Sequence, residues 1–260
     1  MQKTLVSKIA IFALGAAGLP IGAGAAYAQS ATLPDLTVLP VRFVHSVDSR
    51  KARVGDTVTA KTMQVISLPS GDRIKKGTLV IGHVTAVDSY RFDTTPYAHQ
   101  KPSLISIHFD KIQQGENGIP VSLFVRAIAG SIDSQEAAFP QHTNDTDTVG
   151  TIVLIGGTSY SPLDKMIQTE DGDAIAYNRG DGLFARLLPA GSNGAGSSFA
   201  CQGTTTEQSV AIFSPDACGL YGFPGNYMPD NGHDGGTFTL AARGRSAKLP
   251  AGSTALLQVN

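Results

Sequence analysis

Ile105-Ser106-Ile107-His108-Phe109, then Gly115-Glu116-Asn117-Gly118, then Ile119-Pro120-Val121-Ser122-Leu123-Phe124-Val125-Arg126-Ala127-Ile128 is the stretch on which the fold reading turns. In the first run Ile105, Ile107 and Phe109 alternate with Ser106 and His108, a period of two that places the apolar side chains on one face of a strand. In the last run Ile119, Val121, Leu123, Val125 and Ala127 alternate with Pro120, Ser122, Phe124, Arg126 and Ile128. Two such runs joined by glycine and asparagine predict a β-hairpin, with the odd-numbered positions facing inward.

The same period recurs on either side. Val41, Phe43 and Val47 share a strand face with His45, which reads as a satisfied core histidine. An extended leader from Gln29 to Pro40 precedes this strand. Val58 and Ala60 occupy one phase while Met63 and Val65 occupy the other, so a bulge or break is expected near Lys61-Thr62. Leu68 to Asp72 reads as a turn. Leu79 to Val87 is nearly continuous apolar sequence, as for a strand covered on both faces, with Gly82 marking a close backbone approach. Thr151 to Ile155 reads as a short buried strand, Phe238, Leu240 and Ala242 alternate, and Ala255 to Val259 supplies a last strand. One short helix is expected where Leu183, Phe184, Leu187 and Leu188 share a face, Asp181 caps the start and Pro189 stops it. The fold class is therefore mainly β, a barrel or sandwich of short antiparallel strands with one short helix and a disulfide-pinned C-terminal region.

Lys3 and Lys8, the apolar run Ile9 to Ala26 and the small residues of Ala26-Tyr27-Ala28 predict an export signal cleaved after Ala28. Residues 1–28 are then the signal peptide, 29–130 a β-barrel-like domain, and 131–260 a loop-rich β region that is a second domain or completes the first. After residue 28 no stretch approaches the ~20 apolar residues of a membrane-spanning helix. Cys201 and Cys218 are the only cysteines, and in an exported chain they are expected to form a disulfide. The polar segment Ser131 to Thr148 reads as a linker or surface loop. Leu188-Pro189-Ala190-Gly191-Ser192 repeats as Leu249-Pro250-Ala251-Gly252-Ser253, with Leu68-Pro69-Ser70-Gly71 a partial third copy, which suggests one turn reused to deliver the chain into strands.

At 16% charged residues and a formal charge of −1, the chain offers no large basic face, so a nucleic-acid partner is not expected. The sequence contains no nucleophile elbow, zincin helix, phosphate-binding loop or C-x-x-C pair. Gly191 to Gly196 has its glycines in the wrong order for a dinucleotide fingerprint and reads as a flexible loop. The six histidines, His45, His83, His99, His108, His142 and His233, are scattered, and no cofactor is implied. The best candidate site is Asp230-Asn231-Gly232-His233-Asp234-Gly235-Gly236, whose carboxylates and amides on a glycine loop suit a hard cation such as calcium, although a polar turn accounts for them as well. Asn144-Asp145-Thr146-Asp147 is a weaker version of the same pattern.

Three further pieces occur in order: Val47-Asp48-Ser49 with Val54-Gly55-Asp56-Thr57-Val58-Thr59-Ala60-Lys61; Gly71-Asp72-Arg73-Ile74-Lys75-Lys76-Gly77-Thr78-Leu79-Val80-Ile81-Gly82-His83-Val84; and Arg91, followed by Ile107 to Ile112 and Gly118 to Leu123. In this pattern residues 41–126, about a third of the chain, resemble the periplasmic β-domain of TrbI-like components of type IV secretion and conjugation machines. The resemblance implies a β-barrel. The secretion-channel role does not carry over, because a cleavable signal stands where that family has its membrane anchor and proline-rich stalk.

These readings converge on a periplasmic or extracellular, non-catalytic cell-envelope protein, a β-scaffold that binds or assembles with an envelope protein or glycan. The alternative is a secreted hydrolase acting on polysaccharide or peptide through loops 131–236. Convergence of His99, His142, His233 and the late acids in one pocket would favour the enzyme.

Overall fold

The stretch from Ser103 to Ile128 forms two strands that separate after a short shared ladder. In the computed structural model, which describes residues 33–260 except 69, 93, 115–117, 140–149, 170 and 194–197, the principal strands are β1 (Val38–Phe43), β2 (Thr57–Thr62), β3 (Leu79–Asp88), β4 (Ser103–Gln113), β5 (Leu123–Ala129), β6 (Thr237–Ala242) and β7 (Thr254–Val259). Ile119 and Pro120 pair with Ile112 and Lys111, so the hairpin begins as expected. β5 then leaves β4 and pairs with β7. The signal segment, most of the 115–118 turn, the Asn144–Asp147 motif, His142 and the second half of the Gly191–Gly196 loop lie outside the described residues.

The strands run in the order β5-β7-β1-β2-β3-β4-β6, every neighbouring pair antiparallel. Strands from both sides of residue 130 share this sheet, which curls into a nearly closed barrel. With seven strands in alternating directions, the two that face each other at the seam, β5 and β6, run parallel. Later chain bridges the gap: Gly219–Tyr221 lies parallel beside β5, Asn226–Tyr227 pairs with β6, and the Val125 N–H donates to the Asn231 carbonyl at 2.8 Å.

The barrel interior is filled with apolar side chains, among them Val58, Val80, Ile105, Ile107, Leu123 and Leu240. Phe109 sits between Phe43 and Phe238, with ring centroids 6.3 and 6.1 Å away. Burying each of these large side chains contributes about 1.5–3 kcal/mol before entropy is charged against it. A second core lies outside the barrel. Val38, Ala127, Ala129 and Leu256 face outward there and pack on Leu154, Ile167, Ala176, Leu183 and Phe213 of the chain between β5 and β6. This outer layer includes a small sheet of Met166–Gln168, Ala174–Arg179, Gly182–Ala185 and Gln208–Ser209.

β5 is buried on both sides, and its odd-inward phase holds only as far as Val125. Leu257 pairs with Val125 and Leu256 with Ala127, so Arg126 is an extra residue. This bulge turns Ile128 inward and Ala127 outward.

Several expectations are corrected. The expected helix at 181–188 is a hairpin: Gly182–Ala185 pairs with Ala174–Arg179 across Gly180-Asp181. A tight glycine turn overrides the weak helical spacing there, and Asp181 binds Arg73 rather than capping a helix. The helix, α1, falls instead at Ser131–Ala138, inside the expected loop. Its formers are Gln, Glu and Ala, and it buries only Ser134 and Ala137, so no apolar stripe announced it. β1 starts at Val38 and stops at Phe43, leaving His45 exposed beyond its end. β3 buries Val80, Gly82 and Val84 and leaves its other face partly open, so it is not covered on both sides. Of the short strand expected at 151–155, Ile152–Val153 pairs with Ser159–Tyr160, and burial is reached only at Leu154 and Ile155. In the repeated motif, Gly252 turns the chain into β7 with φ +82°, whereas Gly191 has no positive φ and pairs within a two-residue bridge.

One local expectation is observed in full and another in part. A Cβ on Gly82 would lie 2.2 Å from the His108 carbonyl oxygen, the close approach its position suggested. The break expected near Lys61-Thr62 is a strand end at Thr62, with a new short strand starting at Ile66, but the phase does not switch there: Thr62, Gln64 and Ile66 are buried, and Met63 and Val65 only partly so.

Candidate functional site

Arg42 and Lys61 stand directly opposite each other on the outward faces of β1 and β2. Each is flanked along its strand by inward residues, Val41 and Phe43 or Ala60 and Thr62, which forces both cations outward. They line a groove of about 820 Å³ between the barrel wall, the end of α1 and the outer sheet. Lys76 joins them from the turn before β3. Among the described residues, no carboxylate lies within ion-pairing distance of Arg42, Lys61 or Lys76, and the buried Nε of Arg42 has no acceptor. The rest of the lining is largely apolar, with Met63 on the barrel side and Leu154, Leu183 and Ile212 from the outer layer, and carries Tyr160, whose hydroxyl pKa is pushed up by burial.

Three contacts hold the outer sheet at this distance from the barrel. Gln64 Nε2 donates to the Leu183 carbonyl and its Oε1 accepts the Leu183 N–H. Ser209 Oγ donates to the Val65 carbonyl at 2.7 Å, and the Val38 N–H donates to Gln208 Oε1 at 3.1 Å. Arg179, at the rim, is occupied by Glu207 at 2.6 Å and lies over the rings of Tyr177 and Phe184.

The Asp230–Gly236 loop lines a separate recess of about 690 Å³ with Phe199, Thr237 and Thr239. Its polar groups serve largely its own backbone: Asp230 Oδ1 accepts the Gly232 N–H at 2.9 Å and Asn231 Oδ1 accepts the His233 N–H at 3.1 Å. Burial raises the Asp230 carboxyl above the usual carboxylate range, against the lowering effect of hydrogen bonds from Gly232 and Thr239. The His233 ring stacks on Phe124 at 4.9 Å. His83 and His108 lie elsewhere, side by side in a row running Thr57, His83, His108, Thr237 across four strands. His83 Nδ1 is 2.9 Å from Asp110 Oδ2, and His108 Nδ1 is 3.3 Å from Thr237 Oγ1. His99 sits in a short 3-10 turn, Tyr97–His99. Among the described residues no three His, Cys, Asp or Glu side chains gather as a metal site would require.

Cys201 and Cys218 form the expected disulfide, with Cα atoms 5.9 Å apart. Beside it the bulged Arg126 is fully buried. Its guanidinium donates to the carbonyls of Leu188, Gln202, Pro215 and Ala217, tying together the segments that the disulfide also joins. Burial brings its pKa down to about 10, partly offset by Asp216 and Tyr221. Spacing gave no sign of this arrangement, since an Arg on an alternating strand reads as a solvent-facing residue.

No protein-family model matches this sequence and no curated protein matches it, so the likeness to the TrbI-like β-domain rests on the motif residues alone.

Proposed function

We propose that the chain is an exported, non-catalytic cell-envelope protein, a β-scaffold that binds or assembles with partners at the cell surface. The observation that carries this reading is the outward placement of the recesses: the barrel interior is filled with side chains, while the cationic groove lies on its outer wall. Export is supported by the leader residues and by a disulfide, a bond that persists in oxidising compartments. Among the described residues no helix is long and apolar enough to cross a membrane.

The hydrolase reading draws on one observation, the raised Asp230 carboxyl in a recess with His233. Assays of the purified protein against cell-wall, glycan and peptide substrates separate the two. The scaffold reading expects no turnover; turnover lost on Asp230→Asn or Asp234→Asn overturns it. Mass spectrometry of the exported protein is expected to find Gln29 at the N-terminus, and a retained Lys3 contradicts export by cleavage.

A further inference from the structure

We propose that the groove beside Arg42 and Lys61 binds a small amphipathic anion, an oxyanion head of carboxylate or phosphate type on an apolar body. The inference rests on the binding reading above and gives it a ligand class. Directly opposed residues on antiparallel strands have Cβ atoms about 5 Å apart, where like charges repel. Arg42 and Lys61 occupy such a pair, Lys76 lines the same groove, and none has a carboxylate partner among the described residues. The one acid on the groove lining, Asp181, is engaged by Arg73. The Nε–H of Arg42 is buried without an acceptor. An oxyanion between the two cations replaces their repulsion with charge-assisted hydrogen bonds and supplies the missing acceptor. Such a departure from local pairing rules, with nothing among the described residues to offset it, is characteristic of a binding site.

The rest of the lining specifies the remainder of the ligand. Met63, Leu154, Leu183 and Ile212 form an apolar surface that a bare inorganic ion would leave untouched. A volume of about 820 Å³ lies within the range of small-molecule sites, roughly 300–1,000 Å³. A macromolecular partner would need about 800 Å² of contact surface on each side.

Calorimetry with dodecanoate and dodecyl phosphate below their micelle concentrations tests the proposal, with dodecyl maltoside and inorganic phosphate as comparisons. Both dodecyl anions are expected to bind, and the maltoside and inorganic phosphate at least about tenfold more weakly. Lys61→Ala, at an exposed position, is expected to weaken both anions by about tenfold, and Lys51→Ala to leave them unchanged. Arg42→Gln combined with Lys61→Ala is expected to abolish binding. Undetectable binding, equal binding of the maltoside, equal binding of inorganic phosphate or indifference to Lys61→Ala each overturns the proposal. A substrate-turnover assay on the same preparation keeps the two readings distinct. No binding without turnover defeats the ligand class alone, whereas turnover defeats the scaffold reading.

Discussion

The carboxamide of Gln64 clasps the backbone of Leu183, donating from Nε2 to its carbonyl at 2.8 Å and accepting its N–H on Oε1 at 3.2 Å. The break after β2 thus supplies the side chain that fixes the outer sheet against the barrel and holds the groove open. Gly182 is required beside it: its φ is +141°, and a Cβ there would lie 2.3 Å from Gln64 Oε1. Gln64→Ala leaves the buried Leu183 N–H without an acceptor, while its carbonyl keeps the Val210 N–H, with an expected cost of about 1–3 kcal/mol in denaturant unfolding. Gly182→Ala is expected to cost at least as much, and Gly180→Ala, which faces open space without a positive φ, little.

Arg126 carries the bulge in β5 and four carbonyl contacts at once. Arg126→Met is expected to destabilise the protein by about 3 kcal/mol or more, because the buried Ala217 carbonyl and the part-buried Leu188 and Gln202 carbonyls lose this donor. Arg126→Lys is expected to recover only part of this, since an ammonium lacks the planar fork that reaches separate acceptors. Unfolding midpoints of the two variants check both statements, and equal midpoints for wild type and Arg126→Met would contradict them.

Opening the Cys201–Cys218 link with Cys201→Ser/Cys218→Ser is expected to cost about 3 kcal/mol for a closed loop of this length. Thiol titration of the unreduced, unfolded wild-type protein is expected to find no free thiol. Two titratable thiols would remove the bridge.

Asp230 has its carboxyl raised by burial, so its contribution to stability is fully present below its unfolded pKa and is lost as pH rises through the folded value. Asp230→Asn keeps an acceptor for the Gly232 N–H and does not ionise. The stability of this variant relative to wild type is expected to grow as pH rises from about 4 and then level off. A relative stability that falls over the same window contradicts the assignment.

A Cβ on Gly82 meets the backbone of β4, which cannot yield without parting β3 from β4. Gly82→Ala is expected to cost about 2–4 kcal/mol by thermal or denaturant unfolding.

Where one face of a strand meets the interior and the other stays polar, alternation disclosed the fold: Ile105 to Phe109 and Phe238 to Ala242 face as their period requires. It failed where a second layer covers the outer face. The phase of β5 reverses at Arg126 because a bulge inserts one residue, and nothing local to the sequence marks it. Leu183 and Phe184 suggested a helix because apolar residues buried on opposite faces of a two-layered strand look the same as a short helical run. The groove escaped notice because it joins residues from both halves of the chain, as in Gln64 with Leu183. One signal was present: Arg42 and Lys61 each fall in the outward phase of neighbouring strands, and only the pairing register shows that they meet.

Methyl NMR of the protein titrated with dodecanoate tests the central claim most directly. Shifts confined to Met63, Val65, Leu183 and Ile212, and lost when Arg42→Gln is combined with Lys61→Ala, are expected if the outer groove is the binding site. Shifts at Ile105, Ile107 and Leu240 inside the barrel, or beside Asp230, or none at all, would contradict it.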